Sequence, residues 1–192
     1  MEAILTSTAV VALAEIGDKT MLLAIVLATR FRKPLPIILG ILVATLANHG
    51  IAAFLGQSIA NLLSGQWFRY AVGASFVAMA LWTLVPDKLD ADEEPKPSRY
   101  GAFLTTTVAF FIVEIGDKTQ IATIALGAQF QNVLAVTIGT TLGMMLANVP
   151  AVYLGNAIVE RVSLKFIRMA AALLFLLIGL WVLTDAAGLK LW

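Results

Sequence analysis

One hexapeptide occurs twice in this chain, as Glu15-Ile16-Gly17-Asp18-Lys19-Thr20 and again, 99 residues later, as Glu114-Ile115-Gly116-Asp117-Lys118-Thr119. The same displacement aligns further residues without gaps, among them Gly40 with Gly139, Leu55-Gly56 with Leu154-Gly155, and Trp82 with Trp181. A single displacement that holds over so much of the sequence indicates an internal repeat. We therefore interpret the chain as two copies of one unit.

The sequence around the hexapeptides is too apolar for a water-soluble domain. Of its 192 residues, 60% are hydrophobic and 13% are charged, and the mean hydropathy is +0.91. A helix needs about 20 apolar residues to cross a hydrocarbon core about 30 Å thick. Six stretches are long enough, at approximately 4–29, 35–57, 67–86, 101–127, 133–157 and 165–184. We predict an all-α membrane protein with six transmembrane helices.

The repeat and the number of spans together predict how the halves are oriented. Because each copy contains three spans, the second copy enters the membrane from the opposite side, as in many secondary transporters with inverted repeats. We expect three-helix repeats over 1–86 and 100–192, joined by an acidic cytoplasmic linker over 87–99. The linker composition is typical of a solvated, extended tether. A regulatory or metal-attracting loop is the alternative.

Positive charges predict which side of the membrane each loop occupies. Nine Lys and Arg residues lie in or beside loops one, three and five, and only two lie on the other side. The positive-inside rule places the first group in the cytoplasm and both termini on the non-cytoplasmic side. The nine are Arg30, Arg32, Lys33, Lys88, Lys96, Arg99, Arg161, Lys165 and Arg168, and the two are Arg69 and Lys190.

Composition also excludes several functions. The net charge is only +1 and the basic residues are scattered, so we expect no nucleic-acid partner. The chain has no cysteine, which excludes disulfides, thiolate metal sites and cysteine nucleophiles. Any metal must therefore be bound through oxygen or imidazole, and we expect no cofactor.

The hexapeptides place four carboxylates near the middle of the first and fourth spans: Glu15, Asp18, Glu114 and Asp117. An ionised side chain at this depth costs at least ~2.5 kcal/mol. Since positions i and i+3 share one face of a helix, we expect each copy to present its pair in one direction. Pseudo-symmetry would then bring both pairs to one cavity.

The charges of the hexapeptides suggest what such a cavity would hold. Four ionised carboxylates total −4, and Lys19 and Lys118 reduce this to −2, which one divalent cation or two protons would neutralise. Crowded like charges favour protonation, so protons and metal should compete. Oxygen ligands suit Mn²⁺, Ca²⁺ or Mg²⁺, among which composition does not choose. The structural alternative is that Lys19 pairs with Asp18 or Glu15 and only holds helices together.

Polar residues near the carboxylates are candidate accessory groups. The hydroxyls of Thr20 and Thr119 could contact an ion or bond a carbonyl one turn back. Gln120, whose repeat partner is Met21, could coordinate an ion or form an interhelical hydrogen bond. His49, the only histidine, could relay protons, bind metal or pack.

Two asparagines complete the set of accessory candidates, and their equivalence stays open. Asn148 aligns with His49 at the constant displacement. Locally, however, Leu46-Ala47-Asn48 resembles Leu146-Ala147-Asn148, which would make Asn48 its counterpart.

Two copies of Glu-x-Gly-Asp-Lys-Thr in two three-span halves resemble a family of small cation transporters. The family includes bacterial manganese exporters and Golgi Mn²⁺/Ca²⁺ transporters, within the calcium/cation antiporter group. Both motifs match without substitution, and the resemblance covers essentially the whole chain. It implies a cation path through Glu15, Asp18, Glu114 and Asp117, Mn²⁺ or Ca²⁺ as cargo, and H⁺ as counter-ion.

The resemblance also implies a location, and other functions remain to be weighed. It implies export across a bacterial inner (plasma) membrane or uptake into an organelle, and the short chain fits the bacterial member better. The main alternative is a six-span exporter of amino acids or other small organic solutes, which two carboxylate pairs suit less well than a cation. An intramembrane phosphatase would need arginine or serine near the acids, and a channel is a further alternative. A monomer could suffice, and the oligomeric state stays open.

Overall fold

The computed structural model describes residues 1–63, 65–86, 101–155 and 163–189, which are all-helical in architecture. These residues form eight helices: α1 (Glu2–Glu15), α2 (Lys19–Phe31), α3 (Pro34–Leu62), α4 (Gln66–Thr83), α5 (Ala102–Glu114), α6 (Lys118–Phe130), α7 (Val133–Leu154) and α8 (Leu164–Ala186). The predicted all-α class is confirmed. Outside the described residues lie the predicted linker over 87–99 with its three basic residues, and also Arg161 and Lys190.

Three of these helices, α3, α7 and α8, are long and apolar enough to cross a membrane as single helices. The helix α5 is also apolar but shorter. Large apolar side chains such as Leu35, Leu134 and Leu173 are exposed on the outside of the bundle. An apolar exterior of this extent is expected where the surrounding solvent is lipid. The chain is therefore a multi-pass membrane protein.

The stretches predicted as the first and fourth spans are each broken in the middle. The prediction of a continuous helix for each of these spans is therefore wrong. The helix α1 ends one residue before Ile16, and α5 ends one residue before Ile115. The next glycines, Gly17 and Gly116, have φ of +85° and +79°, a left-handed conformation that other residues rarely adopt. The following aspartate is in each case the N-cap of the next helix. The prediction that i and i+3 share one helix face is therefore wrong for both hexapeptides.

The two halves pack against each other reciprocally. An added Cβ on Gly40 of α3 would lie 2.8 Å from the carbonyl oxygen of Phe103, and one on Gly139 of α7 would lie 2.6 Å from that of Ile4. The two contacts are equivalent in the repeat, because Gly139 is the counterpart of Gly40 and Ile4 is the counterpart of Phe103 at the displacement of 99 residues. Reciprocal contacts of this kind are produced by a two-fold axis. Both approaches are so close that only glycine fits.

The last helices of the two halves, α4 and α8, pack closely and antiparallel. At one end, Arg69 forms an ion pair with Asp185, and further along Phe76 stacks near Phe175. An added Cβ on Gly73 would lie 3.2 Å from the carbonyl oxygen of Gly179, so the helices meet across two glycines. This contact joins the halves beside the broken helices.

Candidate cation site

The two helix breaks hold four buried carboxylates. Glu15 and Glu114 are 0% exposed, Asp18 is 1% exposed and Asp117 is 4% exposed. Each glutamate is the last residue of one helix, and each aspartate is the N-cap of the next. Backbone groups at such helix ends have no partner within the helix, and broken membrane helices use them to bind ions. The breaks therefore place each pair of carboxylates at the facing ends of two helices.

Each buried glutamate faces a polar residue from the opposite half. Asn148 donates from Nδ2 to Oε1 of Glu15 over 3.1 Å, and Nε2 of His49 lies 3.1 Å from Oε2 of Glu114. These two contacts are again related by the displacement of 99 residues. In space, the counterpart of Asn148 is therefore His49 and not Asn48.

Each aspartate faces a lysine, also from the opposite half. Nζ of Lys118 lies 2.9 Å from Oδ1 of Asp18, and Nζ of Lys19 lies 3.9 Å from Oδ1 of Asp117. The Lys118 side chain is 4% exposed and the Lys19 side chain is 18% exposed. These two ion pairs thus run between halves and not within one hexapeptide. This is the position that charge compensation of the aspartates requires.

Side-chain hydrogen bonds brace the second break. Oδ2 of Asp117 accepts hydrogen bonds from the backbone N and the hydroxyl of Thr119, over 3.3 and 3.1 Å. Gln120 accepts from the backbone N of Gly116 and donates to Oδ1 of Asn48, both over 2.8 Å. Of the two roles considered for Gln120, the interhelical hydrogen bond is thus present. The aspartate that precedes α2 makes no side-chain cap hydrogen bond.

Several buried polar atoms at the breaks make no hydrogen bond within the described residues. They are both carboxylate oxygens of Glu114, Oε2 of Glu15, Oδ1 of Asn148, Nδ2 of Asn48, both ring nitrogens of His49 and the hydroxyl of Thr20. A buried polar group without a partner costs about 1–3 kcal/mol, so native proteins keep few of them. Most of these atoms are oxygens or ring nitrogens, which can bind a proton or a cation.

The carboxylates do not form a single preformed cage. Within the part of the chain that the structure describes, no three His, Asp or Glu side chains are close enough to hold one metal ion. The acids are divided instead between two glutamate half-sites and two aspartate–lysine pairs. Whether the four carboxylates share one cavity, as the repeat predicts, is a separate question from this lack of a preformed three-ligand metal site among the described residues.

Ionisable side chains buried at the breaks of membrane helices mark the pathway of an ion transporter. The chain belongs to the family described as "Divalent cation/proton antiporter GDT1", whose sequence model matches residues 3–91 and 102–190. The two matched stretches are displaced by 99 residues, as the hexapeptides are. The expected family is confirmed, and the protein is a divalent cation transporter and not an enzyme.

Relatives along nearly the whole chain come from bacteria and plants. A protein of Vibrio cholerae named "Putative manganese exporter" is 51% identical, over 94% of this chain and 90% of its own length. GDT1-like protein 5 of Arabidopsis thaliana is 29% identical, over 91% of this chain and 92% of its own. A GDT1-like protein of Synechocystis is 29% identical, over 87% of this chain and 89% of its own. No solved structure matches the chain.

Proposed function

We propose that the protein exports divalent cations, Mn²⁺ first and Ca²⁺ second, from the cytoplasm in exchange for H⁺. The proposed site contains Glu15, Asp18, Glu114 and Asp117. The observation that carries this proposal is the reciprocal contact of each carboxylate with a polar or charged residue of the opposite half. Because each carboxylate of one half contacts a side chain of the other half, a change in the charge of the site changes the attraction between the halves.

We also propose that the chain crosses the inner (plasma) membrane six times, with both termini on the non-cytoplasmic side. The six spans are α1–α2, α3, α4, α5–α6, α7 and α8. Helices α2 and α3 are joined by only two residues, as in an antiparallel helical hairpin. Helix α3 runs parallel to α5–α6, because its contacts advance from Gly40 against Phe103 to Gly56 against Ile124. Segment α1–α2 therefore runs opposite to α5–α6, which supports an inverted repeat.

The aspartate–lysine pairs suggest how cation and proton compete. In these pairs an ammonium group neutralises each aspartate. An entering cation would replace the ammonium as the partner of the carboxylate, and a proton would remove the carboxylate charge instead. One divalent cation balances the same charge as two protons. Loss of either partner changes the attraction between halves, which couples binding to movement of one repeat against the other.

The choice of Mn²⁺ as first cargo has two supports. The relative from Vibrio cholerae is named for manganese. In addition, the atoms at the site that could ligate a metal are oxygens with one imidazole and no thiolate, a set that suits Mn²⁺ better than soft ions. Ca²⁺ shares the preference for oxygen and is the second candidate.

Flux in proteoliposomes tests the site. Purified protein with Glu15→Gln or Asp117→Asn should lose most Mn²⁺ transport, because each change removes one carboxylate charge from the site. Glu2→Gln is the matched control, since Glu2 is an exposed acid at the start of α1. Wild-type Mn²⁺ flux in both Glu15→Gln and Asp117→Asn would refute the assignment.

A further inference from the structure

The two glutamate half-sites differ in one chemically important residue. Glu114 faces His49, and Glu15 faces Asn148, although the two positions are equivalent in the repeat. All four side chains are buried. We call Glu114 with His49 the imidazole half-site and Glu15 with Asn148 the amide half-site. Two otherwise matched positions thus offer different donor atoms to an ion.

In the imidazole half-site, a nitrogen and an oxygen are placed like two neighbouring ligands of one ion. Nε2 of His49 lies 3.1 Å from Oε2 of Glu114, yet the two atoms do not meet the geometry of a hydrogen bond. Two ligands at right angles, each about 2.2 Å from an ion, are about 3.1 Å apart. Both oxygens of Glu114 also make no hydrogen bond within the described residues.

In the amide half-site, the side-chain atoms of Glu15 and Asn148 that make no hydrogen bond are oxygens. Nδ2 of Asn148 donates to Oε1 of Glu15 and to the carbonyl oxygen of Met144, each over 3.1 Å, and lies 2.9 Å from Sδ of Met144, a soft atom that suits none of Mn²⁺, Ca²⁺ and Mg²⁺. An amide nitrogen that carries hydrogen is a donor and does not ligate metal. The atoms left without a partner are Oδ1 of Asn148 and Oε2 of Glu15. This half-site is therefore an all-oxygen site.

We propose that His49 determines specificity, by making the site favour Mn²⁺ over Ca²⁺ and Mg²⁺. Mn²⁺ accepts carboxylate oxygen as Ca²⁺ and Mg²⁺ do, but as a first-row transition ion it also binds imidazole nitrogen, which those two ions bind poorly. The all-oxygen amide half-site gives Mn²⁺ no comparable advantage. This inference rests on the proposed function and adds the residue that selects the cargo.

The ratio of Mn²⁺ to Ca²⁺ transport tests the role of His49. His49→Asn gives both half-sites the amide, and we expect the ratio of initial rates in proteoliposomes to fall about tenfold or more. The double variant His49→Asn with Asn148→His moves the imidazole to the other half-site. We expect it to regain a large part of the lost Mn²⁺ preference. Because both rates come from one preparation, a smaller folded fraction lowers them equally and leaves the ratio unchanged.

The outcomes separate this inference from the proposed function. A wild-type protein that moves neither cation contradicts the proposed function itself. Wild-type transport of Mn²⁺, combined with an unchanged ratio in His49→Asn, overturns only the role of His49. If His49→Asn loses transport of both cations equally and the double variant does not recover it, His49 is a packing residue. That result also overturns its role in specificity.

Discussion

Lys118 and Asp18 form the closer and more deeply buried of the two aspartate–lysine pairs that join the hexapeptides of the two halves. Removing one member of a buried ion pair costs about 3–5 kcal/mol, because the other charge is left without compensation. In our account the ammonium is a counter-charge that a cation can replace. The same pair should therefore affect both the stability of the protein and its response to metal.

We predict that Lys118→Met lowers the melting temperature in metal-free detergent solution. Added Mn²⁺ should then raise the melting temperature of this variant by more than it raises that of the wild type. The reason is that Mn²⁺ replaces the positive charge of the Lys118 ammonium, which neutralises Asp18 in the wild type. Tryptophan fluorescence during heating measures both effects. Lys19→Met is the matched control and should show smaller effects, because Lys19 lies 3.9 Å from Asp117 and is more exposed. Equal losses in both variants, with no dependence on Mn²⁺, would contradict a counter-charge role.

At the scale of elements, the helix breaks are the feature on which the site depends. Gly17 and Gly116 have positive φ, and the aspartate after each glycine occupies the N-cap position of the next helix. A residue with a Cβ pays about 1–2 kcal/mol in this conformation. The break is also what turns the two acids of each hexapeptide away from a common helix face.

We predict that Gly17→Ala and Gly116→Ala both reduce stability and Mn²⁺ transport. Gly17→Ala should be the more harmful, because its Cβ would lie 2.8 Å from Cδ2 of Leu164, whereas no atom of the described residues would lie within 4 Å of the new Cβ in Gly116→Ala. Gly50→Ala is the control, since its nearest neighbour would be 3.8 Å away and alanine favours the helix there. Full transport in Gly116→Ala would show that this break is not required.

The positions of the helices could be predicted from the sequence, but the breaks were missed. Hydropathy is continuous across Glu15 to Thr20, so a search for apolar spans joins α1 to α2. The signal that would have found the break is Gly17 followed by Asp18, a helix stop beside a preferred N-cap. The pairing of Lys19 with Asp117 could not be predicted, because it depends on how the halves pack and not on local spacing.

At the scale of the whole molecule, the reciprocal contacts relate the two halves by a two-fold axis. The constant displacement of 99 residues predicts which positions are equivalent, and the contacts of His49 and Asn148 follow it. Sequence could not decide which residues of one half touch the other. Our proposal adds that the axis lies in the membrane plane, which places equivalent loops on opposite sides.

We predict that Lys33→Cys and Asn132→Cys react with a membrane-impermeant maleimide from opposite sides of the membrane. The two residues are repeat equivalents, and both are exposed between helices. The chain has no cysteine of its own, so each variant carries a single label site. Lys33→Cys should react only from the cytoplasmic side. Labelling of both variants from the same side would contradict the inverted repeat.

The exchange of cation for proton through the shared carboxylates is tested most directly by recording Mn²⁺ and H⁺ movements together in one set of proteoliposomes. The account predicts that Mn²⁺ entry drives H⁺ out, with about two protons for each cation as charge balance requires, and that an imposed proton gradient drives Mn²⁺ against its own gradient. Mn²⁺ flux with no counter-movement of protons and no dependence on the gradient would contradict it.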